Sequence, residues 1–135
     1  VYGIDDAIER TKRYINAGAE ICFADGIGTR EELEKFAKEL SGSGAYLVAN
    51  MIEGGKTPLI PAKELEQMGF SLVFWACSAV YTISKALYDL FGNLAQDGTT
   101  EKSLDRMIEF SQFNSMIGLD TYKEYERKYK VDRDD

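Results

Sequence analysis

The first third of the chain alternates helical patterns with a short apolar run. From Ile4 to Ile15 the apolar residues recur three or four positions apart, which predicts an amphipathic helix, and Gly18 follows as a helix terminator. Thr29 and Glu32 have the spacing of a capping box at the start of a second helix. The apolar stripe between Leu33 and Leu40 predicts the buried face of that helix.

Three apolar runs predict short strands: Glu20–Ala24, Ala45–Ala49 and Ser71–Ala76. The second run is apolar at every position, as in a parallel strand that is buried on both faces. A short helix from Ala62 to Met68 separates the second and third runs. Regular alternation of helices and strands favours right-handed crossovers and a parallel sheet.

The rest of the chain has helical patterns only. A long helix is predicted from Val80 to Leu94, a second helix capped by Thr100, and a last helix from Thr121 to Lys130, with Asp120 as a possible cap. We therefore divide the chain into an α/β region, residues 1–98, and a region of C-terminal helices, residues 99–135. Three strands close a sheet poorly, so we expect further strands outside this sequence, and we expect the 135 residues alone to be inactive.

Composition excludes several functional classes. Sixteen basic and 23 acidic residues give a net charge of -7, which argues against binding to nucleic acid or to an anionic membrane surface. The longest apolar stretch, Phe70–Val80, is too short to span a bilayer, and the beginning of the sequence does not resemble a signal peptide. Cys22 and Cys77 lie in apolar runs, which favours reduced thiols and a cytoplasmic protein. The absence of histidine excludes a Ser-His-Asp triad within these residues.

Polar residues follow each predicted strand, where parallel α/β folds place their reacting groups. These positions are Asp25, Asn50 to Glu53, and Ala76 to Ser78. Asp25 could bind a substrate hydroxyl or relay a proton, or it could be a loop carboxylate that binds nearby backbone N–H groups. Asn50 could bind ligand oxygens or could instead stabilise a turn. Glu53 could be a second carboxylate near the same edge, but the commoner expectation for such a residue is that it is solvated.

The segment Gly54-Gly55-Lys56-Thr57 resembles part of a phosphate-binding loop. The Walker pattern requires a glycine five residues before the Gly-Lys pair, but that position is Asn50. Pro58 also interrupts the helix that should follow. We reject a nucleotide-binding loop, and Lys56 remains a candidate for contact with an anion.

Four collinear segments resemble the isocitrate lyase and phosphoenolpyruvate mutase superfamily, and together they cover nearly the whole chain. They are Gly3–Arg10 with Tyr14 and Ala17–Glu20, Ala49–Met51 with Thr57-Pro58, Leu65–Gly69 with Val73–Ala76, and Ile117–Tyr122. The resemblance implies that the chain is the C-terminal half of a (β/α)8 barrel. It also implies that the last helices exchange between the subunits of a homo-oligomer.

The resemblance also implies a chemistry. Members of the superfamily use Mg²⁺ to cleave or form a bond next to a carboxylate through an enolate-like state, and their metal ligands precede the segment represented here. Residue by residue, Asp25 matches a substrate-facing Glu of the methylisocitrate lyases. Asn50 matches a substrate-binding Asn, with Met51 and Ile52 beside it.

Departures from the superfamily pattern narrow the substrate. The methylisocitrate lyases have a proline at Ala76 and substrate-binding arginines near Tyr81 and Phe110, which this chain lacks. Guanidinium groups at these positions would pair with the additional carboxylates of a tricarboxylate, so their absence argues against a tricarboxylate substrate. We therefore expect a lyase for a 2-hydroxy or 2-oxo dicarboxylate. A phosphonomutase of the same superfamily and a non-catalytic oligomeric α/β binding module remain alternatives.

Overall fold

A computed structural model describes residues 2–130, so the end of the predicted C-terminal region lies outside the described residues. The elements are α1 (Ile4–Asn16), β1 (Ile21–Phe23), α2 (Arg30–Glu39), β2 (Tyr46–Asn50), α3 (Ala62–Met68), β3 (Leu72–Phe74), α4 (Ser78–Asp97), a 3₁₀ helix (Glu101–Arg106), α5 (Phe110–Met116) and α6 (Leu119–Tyr129). Contacts divide the described residues into two compact units, 2–84 and 85–130. The predicted class, parallel strands alternating with helices and then C-terminal helices, is confirmed.

The first unit contains one parallel sheet in the order β1-β2-β3. Phe23 of β1 pairs with Val48, and Val48 pairs with Leu72 on its other side. Each connection passes through a helix, as parallel neighbours require. All three strands consequently end at the same edge of the sheet.

The two faces of this sheet differ in burial. Cys22, Leu47 and Ala49 point to the face that the helices cover, and they join one apolar core with residues of α1, α2 and α3. On the opposite face, Ile21 is 63% exposed and Tyr46 is 61% exposed. The prediction that the second strand is buried on both faces therefore holds for its central residues and is wrong for Tyr46.

Local signals explain two helix boundaries. The predicted capping box of α2 is present: the Thr29 hydroxyl accepts from the Glu32 N–H at 3.1 Å, and the Glu32 carboxylate accepts from the Thr29 N–H at 3.2 Å. Gly69 ends α3 in the left-handed conformation (φ 109°), which glycine adopts readily because it has no Cβ to oppose it.

Asp5 and Asp6 are residues of a type that caps helices, but neither of them caps α1. Gly3 occupies the N-cap position, with no side-chain cap. Both aspartates lie in the first turn and pair with cations instead, Asp6 with Arg10 at 2.9 Å and Asp5 with Lys35 at 2.6 Å. Their charge still favours the helix N-terminus.

The second unit contains two corrections. The helix predicted from Thr100 is a 3₁₀ helix that ends where Met107 adopts an extended conformation, and α5 begins after Glu109 as a separate helix. Gly118 in the left-handed conformation, rather than Asp120, is the N-cap of α6. None of the helices within residues 2–130 is long and apolar enough to cross a membrane.

The capping box allows a direct test of α2. Replacing Thr29 with alanine removes the hydroxyl acceptor, and we expect the complete protein that contains this chain to lose about 1 kcal/mol of unfolding free energy. Chemical denaturation monitored by circular dichroism measures the loss. Thr29→Ser keeps the acceptor and serves as the control, and equal stabilities of the two variants would contradict a role for the cap.

Candidate functional site

The polar residues predicted from strand ends lie along the common carboxyl edge of the sheet. Asp25 follows β1, Asn50 is the last residue of β2, and Ser78 begins α4 shortly after β3. Asn50 pairs in register with Phe74, so the ends of β2 and β3 are adjacent. Parallel pairing thus gathers side chains that are distant in sequence.

Glu53 and Ser78 join two of these loops. The Ser78 hydroxyl donates a short hydrogen bond to Glu53 Oε1. This bond and a backbone N–H donor hold the pKa of Glu53 below its ordinary value, against the opposing effect of desolvation. The expectation that Glu53 is solvated is wrong, because the residue is half-buried and its Oε2 is buried with no hydrogen-bond partner among residues 2–130.

The Asn50 amide is also incompletely bonded. The residue is half-buried, and its Oδ1 has no hydrogen-bond partner within the part of the chain that the structure describes. Asn50 ends a strand rather than forming a turn, so the turn interpretation is not supported. Buried polar atoms normally have partners, and this oxygen is therefore available to accept a hydrogen bond from a ligand.

Met51 and Ile52 follow Asn50 in the sequence, but their environments differ from that of Asn50. The Met51 side chain is fully buried in the core, and its sulfur accepts a hydrogen bond from the Ile60 N–H at 3.4 Å. The Met51 side chain therefore packs in the core. Its contact with substrate stays a prediction, and only the main chain of Met51 is available for that contact. Ile52 is half-buried in a turn, where its carbonyl accepts from the Gly55 N–H at 3.0 Å.

Asp25 lies in a cleft of about 330 Å³ beside β1. Lys56, from the loop after β2, lines the same cleft, whereas Asn50 does not. Asp25 is exposed, and its carboxylate accepts no hydrogen bond from residues 2–130, so the interpretation of a loop carboxylate bound by backbone N–H groups is not supported. The structure therefore places the predicted residues in two adjacent groups: Asp25 with Lys56, and Asn50 with Glu53 and Ser78.

Tyr81 lies near the position where the resemblance implies an arginine. The pKa of Tyr81 is raised, chiefly by interaction with the Cys77 side chain and also by the charge of Glu53. A raised pKa keeps the phenol neutral at physiological pH. This position therefore offers a neutral hydrogen-bonding group and no positive charge.

The described residues contain no cluster of metal ligands. Within residues 2–130, no group of three or more His, Cys, Asp or Glu side chains could hold a metal ion. Magnesium binds through one or two carboxylates together with waters and substrate oxygens. These residues would therefore supply at most part of a Mg²⁺ site.

Residues 2–95 match the model of the family described as phosphoenolpyruvate phosphomutase. The chain belongs to this family. Its similar proteins are lyases and mutases, which establishes an enzyme family and confirms the predicted superfamily.

Two relatives of known activity match nearly the whole chain. It is 38% identical to the 2,3-dimethylmalate lyase of Eubacterium barkeri, over 97% of the chain and 44% of that protein. It is 39% identical to the chloroplastic carboxyvinyl-carboxyphosphonate phosphorylmutase of Arabidopsis thaliana, over 94% of the chain and 37% of that protein. The chain thus spans less than half the length of these relatives.

Solved structures agree with the fold. The crystal structure of a 2,3-dimethylmalate lyase superposes with a TM-score of 0.79 at 27% identity, covering 95% of this chain and 44% of that one. A phosphoenolpyruvate phosphomutase from Streptomyces platensis subsp. rosaceus superposes with a TM-score of 0.80 at 21% identity, which supports the fold alone.

The pKa of Glu53 gives a pH-dependent prediction for Ser78. Because the folded-state pKa is lowered, the ionised carboxylate contributes stability that is fully present above the ordinary Glu pKa of about 4.3 and is lost as the pH falls through the lowered value. We expect Ser78→Ala to be less stable than the parent at neutral pH, with a difference that shrinks in acid. Denaturant unfolding of the complete protein across this pH range measures the difference.

Two controls isolate the effect of this hydrogen bond. Ser71→Ala removes an exposed hydroxyl that does not contact Glu53 and should leave the pH dependence unchanged. In a Glu53→Gln background, Ser78→Ala should have an effect that does not vary with pH. A pH-independent difference between Ser78→Ala and the parent in the native background would contradict the assignment.

Proposed function

We propose that the protein containing this chain is a carbon–carbon bond lyase that acts on a 2-hydroxy or 2-oxo dicarboxylate through an enolate-like intermediate. The observation that carries the proposal is the 38% identity to 2,3-dimethylmalate lyase over 97% of the chain. The superposition on a dimethylmalate lyase at 27% identity supports it. The polar side chains at the carboxyl edge of the sheet provide a place for the reaction.

Residues of this chain would orient such a substrate. Asn50 Oδ1 lacks a partner among the described residues, and the Asn50 amide group would hydrogen-bond the substrate. With a 2-hydroxy substrate, or with a 2-oxo substrate to whose carbonyl water has added, Asp25 would accept the hydroxyl proton as the adjacent carbon–carbon bond breaks. This cleavage leaves a carbonyl product (a carboxylic acid, where water has added) and an enolate that a proton then quenches. Glu53 is ionised and held by Ser78, so it would fix the loop beside Asn50 rather than act as an acid.

We also propose that the reaction depends on Mg²⁺. Such an ion would stabilise the negative charge that develops on the enolate oxygen. Its ligands would come from the part of the barrel that precedes this segment, as the family resemblance implies, and residues 2–130 contain no group of three or more candidate ligands. What this chain contributes is the binding and orientation of the substrate.

A phosphonomutase is the second candidate. The 39% identity to the Arabidopsis phosphorylmutase favours it nearly as strongly as the lyase is favoured. Both reactions need a carboxylate-binding site, so the edge of the sheet alone does not separate them. The two candidates differ in the bond that is cleaved or formed.

Substrate assays of the complete protein test the lyase. We expect cleavage of 2,3-dimethylmalate or oxaloacetate in preference to 2-methylisocitrate, because the chain lacks the additional guanidinium groups expected for a third carboxylate. Treatment with EDTA should abolish turnover, and added Mg²⁺ should restore it. Product formation by chromatography provides the measurement.

The mutase requires a parallel assay. Incubation with a phosphonate or phosphate ester of an enolpyruvate, followed by ³¹P NMR, reports whether a carbon–phosphorus bond is rearranged. If a carbon–phosphorus bond is rearranged and none of the carboxylate substrates is cleaved, the protein is a mutase and the lyase proposal is wrong. Turnover that persists in EDTA would contradict the metal requirement.

We further propose that the protein is a homo-oligomer in which the C-terminal helices exchange. Large apolar side chains on α5 and α6 support this, since Phe110 is 83% exposed and Tyr122 and Tyr129 are each 65% exposed. Exposed aromatic groups of this kind favour a protein partner. Light scattering of the complete protein should give a multiple of the protomer mass, and a monomer at micromolar concentration would contradict the proposal.

A further inference from the structure

The cleft beside β1 contains four charged side chains, two of each sign. Asp25 and Glu32 are its carboxylates, and Arg10 and Lys56 are its cations. Gly26 is among the uncharged residues of its wall. A small site with mixed charges can bind a ligand only through groups that are not already engaged with the protein.

Two of the four charges are engaged. The Arg10 guanidinium lies 2.9 Å from Asp6. Glu32 accepts from the N–H groups of Gly28 at 2.9 Å and Thr29 at 3.2 Å as part of the α2 capping box. Both charges are therefore already paired with groups at their own helix or at its N-terminus.

The other two charges are available. Within residues 2–130, Lys56 forms no ion pair and no side-chain hydrogen bond, and the same is true of Asp25. One ammonium group and one carboxylate thus line the cleft without a partner. An ammonium group offers three donors to an anion, and a carboxylate accepts from a hydroxyl.

Two glycines hold the Lys56 side chain across the loop that follows β1. A Cβ added at Gly28 would lie 3.3 Å from Lys56 Cε, and one added at Gly26 would lie 4.0 Å from Lys56 Cδ. The lysine stem therefore packs on exposed backbone, which restricts its position before any ligand arrives. Gly28 has no left-handed φ, so alanine there would disturb its neighbours rather than the backbone.

We propose that Lys56 is a specificity-determining residue that binds one carboxylate of the substrate, with Asp25 accepting a hydrogen bond from the substrate hydroxyl beside it. This inference rests on the proposed function, since it assigns the carboxylate contact within that site. The Lys56 ammonium supplies the positive charge, and the loop that contains Gly26 and Gly28 positions it. A substrate that lacks this carboxylate loses the contact and binds more weakly.

Binding of two non-reactive dicarboxylates, oxalate and malonate, tests the assignment separately from turnover. Isothermal titration calorimetry on the complete protein, in buffer with Mg²⁺, gives the Kd of each. Lys56→Met should raise the Kd about tenfold, the effect of losing one charge-assisted hydrogen bond at an exposed position. Lys56→Arg retains the charge and should largely restore binding.

The matched control is Lys63→Met, because Lys63 is also exposed and lies outside the cleft. It removes the same charge from the protein and should leave both Kd values unchanged. If binding depended only on the total charge of the protein, Lys56→Met and Lys63→Met would weaken ligand binding equally. That outcome would overturn the assignment to Lys56.

Gly28→Ala tests the role of the loop. An added methyl group would displace the Lys56 stem, so this variant should also weaken binding. The double variant Gly28→Ala/Lys56→Met should bind no more weakly than Lys56→Met alone, because no ammonium group then remains for the added methyl group to displace. Additive losses would contradict the proposed geometry.

Failure of this inference and failure of the lyase proposal are distinguishable. If the parent cleaves a dicarboxylate and Lys56→Met retains its KM and Kd, the lyase stands and the assignment to Lys56 is wrong. If the parent cleaves no carboxylate but binds dicarboxylates through Lys56, the binding role stands and the reaction class is wrong. A parent that binds neither oxalate nor malonate overturns the assignment.

Discussion

Parallel hydrogen bonding among three short strands is the interaction on which the candidate site depends. Asn50 lies opposite Phe74, and Phe23 lies opposite Val48, so the strands end together at one edge. Asp25, the Asn50 loop and the start of α4 meet there for this reason alone. A slip of one residue would move every side chain to the other face and separate these groups.

The same sheet explains why one face carries the core and the other stays exposed. Helices α1 to α3 cover the face that contains Cys22, Leu47 and Ala49. In a (β/α)8 barrel the helices form the outer ring, and the opposite face of each strand points inward. The exposed Ile21 and Tyr46 lie on that inward face. This arrangement agrees with a chain that matches 44% of a dimethylmalate lyase.

Local patterns predicted the fold well, and tertiary contacts account for what they missed. The capping box at Thr29 and Glu32 lies within four consecutive residues, so the sequence alone locates the start of α2. The full burial of Met51 depends on how the loop after β2 packs on the core. The approach of Lys56 to Gly28 joins two loops that no local pattern connects. The position of the site at one edge of the sheet could therefore be predicted from the sequence. The contacts between side chains within the site could not.

We propose that the substrate binds at the common carboxyl edge of this sheet. A crystal structure of the complete protein with Mg²⁺ and malonate would show the position of the ligand. We expect a malonate carboxylate oxygen within about 3 Å of the Lys56 ammonium. Malonate bound at another surface, with the Lys56 side chain free of ligand, would refute this binding site.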